Sequence, residues 1–129
     1  MEGVFIKDPS LGVSCGTDAV VGENVIIGPG TFSYTIVNES DQEAFVSMVA
    51  ALTVSTNPDP VFTNEDLQRL IAPHSSFVQD EFTIFGQKAF DQAGQVTTTA
   101  SLTFSLFPSG QVIFSDKVVC QFNVVAASF

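Results

Sequence analysis

At 129 residues, with 45% hydrophobic content and 13 Phe, the chain has the length of one domain and is too apolar for a disordered tail. Fourteen Asp and Glu against four Lys and Arg leave a net charge of -10, a surface that repels phosphate backbones and anionic lipid and so argues against nucleic-acid partners. No stretch approaches the roughly 18 apolar residues of a spanning helix, so membrane insertion is not expected either.

The opening residues, MEGVFIKDPSLGVS, lack a basic start followed by a long apolar run and do not read as a signal peptide. Residues 1–17 are expected to form an arm. Its apolar patch, Val4, Phe5 and Ile6, precedes Pro9 and cannot bury itself alone. The arm must fold back on its own sheet or lie on another subunit, where Val4, Phe5 and Ile6 would serve assembly. Residues 18–129 then make one domain.

The next run, VGENVIIGPG, resembles a coil of the hexapeptide-repeat acyltransferases, with Val21-Gly22 and Ile27-Gly28 six residues apart. Steps of six from Ile27 reach Ser33, Glu39 and Phe45, none followed by Gly, and a solenoid needs about three stacked repeats. The acyltransferase reading therefore fails. Gly28-Pro29-Gly30 is expected to form a turn between two strands.

Beyond Thr31 the alternation has period two. TFSYTIVN reads as a strand closed by the polar turn NESDQE, and AFVSMVAALTVS places Val46, Met48, Ala50, Leu52 and Val54 on one face. TNPDPVF breaks the pattern through its prolines. TNEDLQRL carries the one helical signal, Thr63 with Asp66 three residues later, and predicts a short helical turn. In SSFVQDEFTIF, Val78, Phe82 and Ile84 share one parity, and Phe77 and Phe85 the other. The last two strands set Ala100, Leu102, Phe104 and Leu106 against Val112, Phe114, Val118, Cys120, Phe122 and Val124. A three-residue loop, Pro108-Ser109-Gly110, predicts a hairpin in which Leu106 faces Val112 and Phe104 faces Phe114.

Seven or eight short strands without βαβ alternation predict an all-β, antiparallel β-sandwich. YTIVNESDQEAFVSMVAAL and LIAPHSSFVQDEFTI resemble segments of immunoglobulin-like and CARDB-type modules, with His74 where Gly is usual in the latter. That resemblance implies an immunoglobulin-like sandwich; a jelly roll yields much the same pattern.

Few residues suggest chemistry. His74 precedes Ser75 and Ser76, but no sequence context supplies a base with its orienting carboxylate or an oxyanion site. One His and two distant Cys fall short of a zinc set. Asp59, Glu65 and Asp66 in one region, and Asp41 and Glu43 in another, lack the dense spacing of a calcium loop. Asn38-Glu39-Ser40 matches a glycosylation acceptor but reads as a turn. Cys15 and Cys120 remain open between free thiols, an internal bridge and an intermolecular one. Nearly all Phe are expected in the core, with exposed Phe required only if a glycan is bound.

These readings imply no enzyme, no metal and no cofactor. The expected function is a structural subunit that self-assembles through its sandwich and arm into a virion or surface assembly, its partners being copies of itself or other structural proteins. The alternative is a recognition module for carbohydrate or protein, expected to be monomeric and to expose Phe near one loop end.

Overall fold

Period-two patterning is answered by strands throughout, and among the residues described by the computed structural model, 3–55 and 61–127, there is no helix. The strands are β1 (Val4–Val13), β2 (Ala19–Val20), β3 (Asn24–Asn38), β4 (Ala44–Val54), β5 (Val61–Ile71), β6 (Ser75–Ala89), β7 (Gly94–Leu106) and β8 (Val112–Val125). They form a three-stranded sheet in the order β1-β3-β6 and a five-stranded sheet in the order β2-β8-β7-β4-β5. All pairings are antiparallel except the two-residue strand β2, which runs parallel to β8. The sheets pack face to face as an all-β sandwich, closed along its sides where β1 nears β8 and β5 nears β6.

The core is built on β4 and β7. Val46 lies opposite Leu106, Met48 opposite Phe104, Ala50 opposite Leu102 and Leu52 opposite Ala100. Each is at most 5% exposed, and in two of the four pairs alanine faces leucine, so that small and large side chains interlock there. From the other sheet Phe32, Tyr34 and Ile36 press onto this surface, with the Tyr34 ring edge-on to Phe104 at 4.6 Å between centroids. Thr98 occupies one inward position on β7, and its buried hydroxyl finds no partner among the described residues.

Four local expectations are corrected. The segment TNEDLQRL lies in strand β5, not in a helical turn: the free edge of β4 offers it ladder bonds on both sides of one bulge, whereas eight residues of isolated helix cannot sustain themselves. The i,i+3 signal survives in another form, because a bulge at Leu67 and Gln68, the latter at φ 66°, brings Asp66 and Arg69 to one face as an ion pair. Gly28-Pro29-Gly30 is likewise a bulge inside β3, not a turn. Gly28 takes φ 89° there, and a Cβ on it would stand 2.8 Å from Leu52 Cδ2 and 2.9 Å from the Gly30 nitrogen, so only glycine fits.

In β6 a bulge opposite Phe32 and Tyr34 absorbs Asp80 and Glu81 and reverses the phase. Phe77, Phe82 and Ile84 face inward, while Val78 is 64% exposed. The β7–β8 hairpin keeps Phe104 opposite Phe114, but the register shifts before the turn. Ser105 meets Val112, and the Leu106 N–H donates to the Gln111 carbonyl at 2.8 Å, leaving Val112 exposed. Residues 4–13, expected as part of an arm, form the edge strand β1 on β3, with Val4 buried and Phe5 outward.

Burial raises the Tyr34 hydroxyl pKa above its usual range; the Asp66 carboxylate adds to the rise and Arg69 opposes it. The unfolded chain ionises this group near pH 10 while the folded chain resists, so the stability it contributes is full below about pH 10 and is lost as pH rises through the raised value. Urea unfolding between about pH 8 and about pH 11 is expected to show that loss, and Tyr34→Phe to reduce it. An identical alkaline decline in both proteins would contradict the assignment.

Candidate functional site

The polar residues singled out by sequence converge at the end of the sandwich where the β3–β4 and β5–β6 turns meet. Asn38 is the last residue of β3 and is fully buried. Its Nδ2 donates to the carbonyls of Gln42 at 2.8 Å, Ile71 at 3.1 Å and Ala72 at 3.2 Å, while its Oδ1 accepts from the Ser40 N–H at 2.9 Å and the Ser40 hydroxyl at 2.6 Å. The side chain thus ties the end of β3, in one sheet, to the end of β5, in the other. An amide spent this way is not presented for glycosylation.

Beside it His74, at φ 53° in the β5–β6 turn, places Nε2 2.6 Å from the Asp41 Oδ1. Sequence reasoning missed this carboxylate, 33 positions away, because only the meeting of two turns unites the pair. The pair does not make a catalytic dyad with serine. The Ser75 hydroxyl donates to the Pro73 carbonyl at 3.1 Å, and both His74 and Asp41 are open to solvent, at 62% and 93% side-chain exposure. A shallow recess of about 320 Å³ lies against His74, Val37 and Ser76. Water reaches the pair freely.

The acidic groups remain apart. Glu65 and Asp66 are neighbours on β5 and point to opposite faces, with Asp66 held by Arg69; the Arg69 guanidinium also lies 3.9 Å over the Phe77 ring. Asp59 lies outside the described residues. Among the described residues no three His, Cys, Asp or Glu side chains gather as a metal site requires.

Cys15 and Cys120 are joined as a disulfide, with Cα atoms 5.9 Å apart. The bridge pins the segment after β1 to β8 and closes a separation of 105 residues, which on the loop-entropy account stabilises the fold by about 4–5 kcal/mol.

The sheet surfaces hold the more distinctive feature. Several large apolar side chains point outward, and the expectation that nearly all Phe fill the core is corrected. Phe32, Phe90, Phe104 and Phe122 are buried, whereas Phe5, Phe45, Phe85 and Phe107 are 40–63% exposed. Phe129 lies outside the described residues. Strand parity explains the outward set: Phe45 and Phe107 continue the solvent faces of β4 and β7, and the Phe107 N–H donates to the Phe45 carbonyl at 3.0 Å. Phe85 faces out through the β3 bulge.

No family model matches the chain, and no curated protein matches its sequence. Function must be argued from the residues themselves.

The Asn38 clasp yields a direct test. Asn38→Ala leaves buried carbonyls without donors and is expected to cost about 2–4 kcal/mol in urea unfolding. A loss below about 0.5 kcal/mol would show that the clasp contributes little.

Proposed function

We propose that the chain is a non-catalytic structural subunit that self-assembles through the surfaces of its sandwich, including the amino-terminal strand β1, into a virion component or a surface filament. The observation that carries this reading is the number of large apolar side chains on the outer faces. Twelve are exposed among the described residues, spread over both sheets instead of gathered around one cleft. Where they adjoin, as Leu70, Phe45 and Phe107 do, they make the kind of contiguous apolar patch that a neighbouring subunit covers. Edge strand β1 supports the same reading: its ladder bonds go to β3 alone, and it presents Phe5 beside Val37 on the outer face. The disulfide suits an assembly that persists in an oxidising environment.

The second reading, a recognition module for carbohydrate or protein, draws on Phe45 and Phe107, which are exposed side by side at one end of the five-stranded sheet. Light scattering on the intact chain separates the two. The structural reading predicts a defined oligomer or filament whose population grows with concentration. A monomer at every concentration tested would overturn it in favour of a recognition module.

A further inference from the structure

The outer face of the five-stranded sheet is almost free of charge, although the chain carries a net charge of -10. Strand registers fix which residues share it. On β4 the outward positions are Phe45, Ser47, Val49, Ala51 and Thr53; on β7 they are Thr97, Thr99, Ser101, Thr103 and Ser105. None ionises. The flanking strands add one charge of each sign within this field, Glu65 on β5 beside Val49 and Lys117 on β8 beside Ser101.

The rows across β5, β4, β7 and β8 have matching ends. One row runs Val61, Thr53, Thr99, Val119, with valine 55% and 57% exposed at its two ends. Another places Leu67, in the β5 bulge, and Val112 on either side of Ser47 and Ser105. A third joins Leu70, Phe45 and Phe107. Glu65 and Lys117 occupy opposite ends of adjacent rows.

We infer that this face is an isologous docking surface for a second copy of the chain, related by a two-fold axis that runs parallel to the strands between β4 and β7. The inference rests on the proposed role as a self-assembling subunit and specifies its contact. Such an axis lays β4 of one copy over β7 of the other and β5 over β8. It leaves each row in place and exchanges its ends. Val61 then meets Val119, Leu67 meets Val112, Phe45 meets Phe107, and each Glu65 comes within one row of a Lys117.

Charge selects the occupant. This face brings neutral side chains of two acidic copies together and pairs its two charges with opposite ones, so the copies meet here without carboxylate facing carboxylate. The rim pairs set orientation more than strength, because exposed ion pairs contribute little. Size is adequate. Four strands about 4.8 Å apart and five rows about 7 Å apart give a footprint of roughly 600 Å² per copy before side-chain relief, near the ~800 Å² of a standard interface.

The test is sedimentation equilibrium on the full, disulfide-bonded chain and four variants, with far-UV circular dichroism to verify folding. Ala51→Lys sets like charges beside the axis and is expected to raise the dissociation constant at least about 10-fold. Glu65→Lys, at an exposed position that folding does not depend on, is expected to raise it about 3-fold, and adding Lys117→Glu to restore it. Thr35→Lys, on the outer face of the other sheet, is expected to leave association unchanged. Association that persists in Ala51→Lys, or a double swap that fails to restore it, overturns this face while leaving the structural-subunit reading standing. An intact chain that stays monomeric overturns both.

Discussion

The pairing of β4 with β7 is the constraint on which the rest of the molecule depends. Both strands alternate strictly, so one register assigns every side chain on them to one of two destinations. Inward go Val46, Met48, Ala50, Leu52 and their partners, nearly all inaccessible. Outward go serine, threonine, valine, alanine and Phe45. A slip of one residue would bury hydroxyls and expose the core. Selection for the inner face therefore also builds the flat, neutral outer face, and the acidic residues are displaced to turns and to strands at the sides.

Around this centre the two sheets are fastened by different chemistry at different places. Asn38 joins β3 to the end of β5 through a buried amide that no solvent can replace. The Cys15–Cys120 bridge restrains the segment after β1 against β8. Phe62 adds an apolar contact between the edge strands β5 and β6: its ring lies so close to Gly86 that a Cβ there would stand 2.2 Å away. His74 and Asp41 sit on the solvent side of the clasp.

Much of the fold was legible in the sequence where alternation ran unbroken. The inward sets of β4 and β7, the final hairpin and the all-β class follow from period two and from the turn at Pro108 to Gly110. The failures share one cause. Each bulge inserts a residue that parity cannot anticipate: Gly28-Pro29 in β3, Leu67-Gln68 in β5, Asp80-Glu81 in β6 and Ile113 in β8. At each one the phase resets, which is why Val78 departs from the parity of Phe82 and Ile84 and why Ser105, not Leu106, meets Val112. The helical signal in TNEDLQRL was local, whereas the edge of β4 that overrode it was not. The His74–Asp41 pair and the neutral outer face depend on registers between distant segments, so neither can be read from one stretch of sequence.

The proposed function draws on the same alternation, because the strands that organise the core also supply the surface proposed for contact between copies. The most direct measurement is an isotope-filtered NOE experiment on a mixture of labelled and unlabelled chains, which detects methyl contacts between copies alone. The account predicts intermolecular contacts from the outward methyls of Val49, Ala51, Thr99 and Thr103, and none from the inward Ala50 and Leu102. Intermolecular contacts confined to Val37 and Val78 on the other sheet, or none at all at associating concentrations, would contradict it.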